Sequence, residues 1–292
     1  MRGDRDEAFL LSRFCSGAPT IGGGRGMPEP LVDVEGEVLQ RIGQASSVFC
    51  FLDYGGTLAP LMPTPDEAVP LPGTADVLRD LAALPGVQVA VVSGRPVANV
   101  RRFLDVAGLY YVGIHGVEVR FPNGETTIAE GVGWVRTIIP SVKRRLEQAL
   151  HARPGILIED KGAALACHYR LASVADGVTA RQLLAAVVRS YQRRGVRLRV
   201  TFGHEVAEVR TSHVDKGTSA AALLAAHGPA ALPIYIGDDL TDEDAFTLLP
   251  LNSITILVGP AAQPTAARYR TETPQDVQRF LRALLERRRH SV

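Results

Sequence analysis

The chain has little cysteine: only Cys15, Cys50 and Cys167 occur in 292 residues, with no Cys-x-x-Cys spacing. Scattered and odd in number, they argue against a disulfide framework or a zinc site and fit a reducing cytoplasm. Long apolar runs are also lacking. The longest, around Val87 to Val92, is far short of the ~18 residues that suggest a membrane span and suits a buried strand. Charge of one sign is missing too: 32 basic and 31 acidic residues leave a net charge of +1. This removes the electrostatic case for nucleic acid or an anionic membrane as the main partner. The expectation is a soluble protein that handles small molecules, and, with no long apolar seam, a monomer.

Residues 1–30 carry charge and one short apolar patch, too weak for a signal-peptide core and without a convincing cleavage site. They are expected to be mostly disordered, with Met27 as a candidate start. The run Gly22 to Gly26, "GGGRG", follows no strand and precedes Pro28 and Pro30, so it reads as a linker rather than a phosphate cradle.

From Ser46 the pattern alternates. "SSVFCFLDY", "GVQVAVVSGR" and "LYYVGIHG" read as strands, while "TADVLRDLAAL" and "VANVRRFLDVAG", the latter stopping at Gly108, have helical spacing. Such alternation predicts an α/β core with a parallel sheet, whose functional groups collect at the carboxyl ends of the strands. Between 134 and 211 the rhythm becomes a helix and two strands, repeated once, which predicts a small α+β lid with helices on one face. The core then spans 31–133 and 212–292. It resumes with "KGTSAAALLAAHG", "ALPIYIGDDLTDEDAF" and "ITILVG", and ends in the helix "TPQDVQRFLRALLERRR", whose arginines read as a solvated face.

Four polar clusters sit where core strands or loops end: Asp53; Ser93 with Gly94 and Arg95; Lys216; and Asp238 with Asp239 and Asp242. Each alone is an ordinary cap or turn. Together they suit phosphoryl transfer. A carboxylate can attack phosphorus, carboxylates from two strand ends can hold Mg²⁺, and a lysine, a hydroxyl and backbone N–H groups can hold the equatorial oxygens.

"FLDYGGTLAPL", "VVSGRP", "DKGTSAAALL" and "YIGDDLTDEDAF" resemble the four motifs of the haloacid dehalogenase phosphatase superfamily, and within it the trehalose-6-phosphate phosphatase family. "HGVEVR", "IEDKGAALACHYR" and "EVAEVR" resemble that family's secondary motifs. The resemblance implies a Rossmann-like core with a cap inserted between the second and third motifs, and Mg²⁺-dependent hydrolysis of trehalose-6-phosphate through an aspartyl-phosphate. It implies Asp53 as nucleophile and metal ligand and Asp238 as a direct metal ligand, with Asp239 and Asp242 orienting its waters and Lys216. Ser93, Gly94, Thr57 and Lys216 would bind phosphate, Thr57 also bracing the nucleophile turn. Arg95, His115 and Glu118 of the core, and Glu159, Lys161, His168 and Arg170 of the lid, are candidates to contact sugar hydroxyls. His115 and His168 read equally as structural histidines, Glu159 and Lys161 as solvated hairpin residues, and Glu208 is ambiguous.

One position departs from the resembled pattern. Where the family carries an aspartate that protonates the leaving group and then activates water, this chain has Gly55. Its backbone carbonyl remains available to the metal. Three accounts stay open: an inactivating substitution, a natural relative that binds phosphosugar or regulates a partner such as a trehalose-phosphate synthase, or an enzyme using another acid, with Tyr54 and Glu159 as candidates.

Overall fold

A computed structural model describes residues 26–62, 67–203, 205–228, 230–260 and 264–291. The strands are β1 (Glu29–Pro30), β2 (Ser47–Asp53), β3 (Val87–Val92), β4 (Tyr110–Gly113), β5 (Glu118–Arg120), β6 (Thr126–Ile128), β7 (Leu157–Asp160), β8 (Leu165–His168), β9 (Leu198–Gly203), β10 (Val206–Thr211), β11 (Ala231–Gly237), β12 (Ile254–Val258) and β13 (Tyr269–Thr271). The helices are α1 (Leu31–Gln44), α2 (Thr74–Ala82), α3 (Val97–Arg101), α4 (Val135–Leu150), α5 (Val174–Gln192), α6 (Lys216–His227), α7 (Glu243–Leu248) and α8 (Pro274–Arg289). Two compact units result, one from the residues up to Thr127 with Asp215–Val292, the other Ile128–Val214.

The core unit is a sheet ordered β1-β13-β12-β11-β2-β3-β4-β5-β6, parallel from β1 through β4. The apolar run of β2 is buried on both faces because helices cover both. On one side Cys50, Leu52, Val89, Ile234 and Ile256 pack with Val38 and Ile42 of α1, Leu78 of α2 and Phe280 of α8. On the other, Phe49, Phe51, Val92 and Tyr235 pack with Leu223 of α6 and Phe246 of α7. Strand β2 lies between β11 and β3. The chain leaves it in one direction for β3 and returns on the other side at β11, which makes its carboxyl end a topological switch point.

The second unit is an antiparallel sheet ordered β7-β8-β10-β9 against which α4 and α5 pack. Leu165, Cys167, Ala207 and Val209 are buried. Glu159, Ala166, Glu208 and Thr201 stand directly opposite one another across the four strands, so the alternation of side chains puts them on one face. The unit begins at Ile128 and ends at Val214, wider than the span of 134 to 211 expected from the strand pattern. The "GVGW" stretch before α4 and the turn after β10 carry no periodicity to assign them.

Three expectations are corrected. Residues 1–25, including Cys15 and most of the glycine run, lie outside the described residues, but 26–30 are structured. Gly26 and Thr265 exchange backbone hydrogen bonds of 3.1 Å in both directions, and β1 pairs with β13. Helix α3 ends at Arg101, not Gly108. There the buried Tyr111 hydroxyl accepts from Val106 N and donates toward the carbonyls of Leu104 and Val106, satisfying a loop in place of helical turns.

In the last turn of α8 Arg287 and Arg289 are exposed as expected, but Arg288 is not part of a solvated face. Arg288 is 4% exposed and donates from Nη1 to the carbonyls of Ile42 and Ala45, at 3.2 and 2.6 Å, closing the carboxyl end of α1. Hydrogen bonds from a charged donor are worth ~1.5–3 kcal/mol. Arg288→Ala is therefore expected to lower unfolding free energy by about 2 kcal/mol in chemical denaturation, while Arg279→Ala, which removes an exposed pair with Asp276, changes it by less than ~1 kcal/mol.

Candidate active site

Parallel register brings the polar clusters together. Asp53, the last residue of β2, stands opposite Val92, so Ser93 and Gly94 leave β3 just beyond it. Leu52 stands opposite Ile236, so Gly237 and Asp238 leave β11 on the other side. Lys216 opens α6, which is started by a capping box between Asp215 and Thr218.

At the centre, Lys216 Nζ donates to Asp53 Oδ1 at 2.6 Å and to Asp242 Oδ1 at 2.9 Å. All three are buried. Tyr235 Oη donates to the same Asp242 oxygen at 2.8 Å, and Asp239 N to Asp242 Oδ2 at 3.1 Å. Asp242 is thus committed to orienting Lys216. Asp239 is exposed and its Oδ1 accepts from Leu240 N.

Burial works against the Lys216 ammonium, but the Asp242 and Asp53 carboxylates overcome it and hold its pKa above that of an ordinary lysine. Burial pushes Asp53 up from 3.8 to about 7; Lys216 opposes the rise and Asp242 adds to it. Asp238 is likewise pushed well above the usual carboxylate range, by burial and then by Asp53 and Asp242.

The chemistry of the donors fits a cation. Ligand atoms of Asp53, Asp238 and Asp242 lie within 4.8 Å of one another, and three carboxylates face one ammonium. Asp238 Oδ1 is buried with no hydrogen-bond partner among the described residues. A hard divalent ion would supply the missing charge to carboxylate oxygens.

The two glycines of the nucleophile turn have different reasons to be glycine. Gly56 has φ +87°, and a Cβ there would stand 2.0 Å from Asp238 Oδ2, so the turn and the acid cluster both require it. At Gly55 the conformation is ordinary and an added Cβ meets nothing within 4 Å. Among the described residues, nothing excludes a side chain there. Thr57 is buried, yet its Oγ1 has no hydrogen-bond partner among the described residues, so the hydroxyl does not tie the turn as expected.

Other expected residues serve the frame. Glu118 Oε2 accepts from Val97 N at 2.9 Å, fastening β5 to the start of α3. The Arg95 guanidinium lies 4.9 Å over the Tyr54 ring, and its backbone N–H donates to Ser93 Oγ at 3.1 Å. Ile114 and His115 have φ of 51° and 54°, a region costly to residues with a side chain. The buried His115 ring fills the space above Gly94, where a Cβ would stand 2.5 Å from Nε2. Tyr54 is engaged in the frame: its hydroxyl donates to Ala68 O at 2.8 Å, and burial pushes it up to about 12.

In the second unit, Lys161 pairs with Glu208, both largely buried. His168 Nε2 and Glu159 Oε2 are 2.9 Å apart, and Arg170 pairs with Glu205 at the edge. Burial opposes ionisation of Glu159, but its bond with His168 and the charge of Lys161 prevail and lower its pKa. It stays a carboxylate rather than an acid poised to donate. Two contributors were not anticipated: Tyr235, whose signal was a hydroxyl within the otherwise aliphatic "PIYIG" strand, and Glu208 as the partner of Lys161.

A haloacid dehalogenase-like core with a buried aspartate and lysine paired at the switch point, and a separate small α+β unit, places the chain among phosphatases of the phosphoric monoester hydrolase class. The family profile described as trehalose-phosphatase matches residues 51–275. Trehalose-phosphate phosphatase B of Arabidopsis thaliana is 31% identical over 264 residues, covering 85% of this chain and 69% of that protein. The trehalose-phosphate phosphatase of Mycobacterium marinum is 36% identical over 259 residues, covering 84% and 64%. The C-terminal domain of the C. albicans trehalose-6-phosphate phosphatase superposes with a TM-score of 0.77 at 22% identity, covering 90% of this chain and 99% of that one. The chain belongs to the trehalose-phosphatase family. Among the described residues, no helix is long and apolar enough to cross a membrane.

The raised Asp53 predicts a pH effect. A carboxyl with a folded pKa of about 7 against an ordinary 3.8 favours the folded state fully below pH 3.8, and that advantage is lost as pH rises through 7. In chelator, Asp53→Asn should therefore gain melting temperature over the native protein as pH rises toward 8, and saturating Mg²⁺ should abolish the gain by stabilising the native protein. A difference that stays flat with pH contradicts the electrostatic account.

Proposed function

We propose that the chain binds trehalose-6-phosphate with Mg²⁺ and hydrolyses it slowly, through phosphoryl transfer to Asp53. The observation that carries this reading is the buried Lys216 bridge between Asp53 and Asp242, with Asp238 facing it. Asp53, Asp238 and the Gly55 backbone carbonyl would hold Mg²⁺, with Asp239 and Asp242 orienting its waters. When bound, the ion neutralises carboxylate charge and polarises phosphoryl oxygens.

Asp53 then supplies the attacking oxygen. Lys216, Ser93 and Gly94 hold the transferring group as its charge spreads. Thr57 stands in the turn just beyond the nucleophile, and its hydroxyl is a donor available to the same group. On the cap, Glu159, Lys161, His168 and Arg170 offer the mix of acceptors and donors that sugar hydroxyls need, joined by Glu208; Arg95 and His115 are the core's candidates. Glu118 contributes by fixing the strand behind them.

The weak step is proton transfer. A sugar oxygen leaving as an alkoxide is a poor leaving group, and water is a poor nucleophile without a base. Loss of a positioned acid–base group forfeits ~10²–10⁴-fold in rate, about 3–5 kcal/mol of barrier. A second reading draws on the same glycine: a protein that senses the phosphosugar, with turnover incidental. Phosphate release from trehalose-6-phosphate in Mg²⁺ separates the two. Gly55→Asp is expected to raise kcat by ~10²-fold or more, and Asp53→Asn to abolish release; native turnover within tenfold of Gly55→Asp contradicts the proton-transfer account.

A further inference from the structure

We propose that native Asp53 is a phosphoryl acceptor for acyl phosphates, and that the aspartyl-phosphate it forms persists because no side chain at position 55 can activate water. The inference rests on the phosphoryl-transfer reading of this site and adds a donor class and an outcome to it.

The two half-reactions need different things. In the first, a lone pair on the Asp53 carboxylate forms an O–P bond and the bond from phosphorus to the leaving oxygen breaks. A sugar departing as an alkoxide needs a proton at that moment. An acyl phosphate departs as a carboxylate, the conjugate base of an acid with pKa ~4, and takes the electron pair away without any proton. The missing acid then costs nothing. In the second half, water attacks phosphorus, the O–P bond to Asp53 breaks, and a proton from water must pass to a base. That need is the same whichever donor was used.

The groups near Asp53 are engaged elsewhere. Lys216 Nζ is engaged by both Asp53 and Asp242, to which it donates at 2.6 and 2.9 Å. Asp242 accepts from Lys216, Tyr235 and Asp239 N, and Tyr54 donates to Ala68 O. Asp238 is assigned to the cation. Around Gly55 an added Cβ finds no atom of the described residues within 4 Å, so there is room for water and, among the described residues, no base against it. Entry is open to a donor that needs no acid, and exit is slow. The product is a mixed anhydride, the class of adduct that hydroxylamine cleaves.

The test treats the full chain with acetyl phosphate in Mg²⁺, follows it by intact-mass spectrometry, and assays free phosphate beyond the spontaneous rate. Native protein and Gly55→Ala are expected to gain one hydroxylamine-labile phosphoryl group that outlasts any on Gly55→Asp by ~10²-fold or more. Asp53→Asn should gain none. The open space at Gly55 predicts that both position-55 variants fold, and Gly55→Ala separates the effect of bulk from that of the carboxylate. Native protein that releases phosphate as fast as Gly55→Asp without accumulating the adduct overturns the proposal, as does equal labelling of Asp53→Asn. If native is unlabelled while Gly55→Asp turns over trehalose-6-phosphate, the persistence claim fails and the phosphatase reading stands. If Gly55→Asp is inert toward both donors, the phosphatase reading fails and takes this inference with it.

Discussion

Everything at the switch point depends on one buried ammonium. Lys216 reaches from the start of α6 to join a carboxylate from β2 with one from the loop after β11. Without it, three carboxylates from two strand ends would repel one another in a setting where burial already disfavours charge. Removing one partner of a buried pair costs ~3–5 kcal/mol because the other is left uncompensated. The surrounding structure serves that tie. The Asp215 capping box fixes where α6 begins, Tyr235 holds Asp242, and Phe49 and Phe51 stack at 4.2 Å on one face of β2, the strand that carries Asp53.

The nucleophile turn separates what geometry demands from what chemistry demands. Gly56 answers to geometry: a left-handed backbone and a neighbouring carboxylate exclude any side chain. Gly55 answers to neither. Its backbone is unstrained and its Cβ direction is open, so the fold would accept an aspartate. Absence of that side chain leaves Asp53, the acid cluster and Lys216 in place, and on the proposed reading it withdraws only a proton carrier. Binding and transfer to Asp53 are therefore separable from release, the distinction on which both functional readings turn.

Much of this was legible in the sequence because the signals were local. Buried strands such as "VFCFLD" and "VQVAVV" announce themselves as apolar runs, and a parallel sheet then forces their carboxyl ends together, which is why Asp53, Ser93, Lys216 and Asp238 could be grouped before their geometry was known. What escaped depends on contacts between distant segments. Arg288 looked solvated because helical periodicity says nothing of the carbonyls of Ile42 and Ala45 waiting at the end of α1. The early end of α3 follows from a tyrosine hydroxyl ten residues on. The Glu118 carboxylate also fastens Val97 N, which no local pattern announces, and residues 26–30 read as linker or disorder because their partners, Thr265 and β13, lie far along the chain.

The central claim is that Gly55 spares the phosphate grip organised by Lys216. Calorimetric titration of the native protein with trehalose-6-phosphate in Mg²⁺ tests it most directly. The account predicts saturable binding of one ligand per chain, weakened at least ~10-fold, about 1.4 kcal/mol, in Lys216→Met. Native protein that shows no saturable binding, or a Lys216→Met variant that binds as tightly as native, would contradict it.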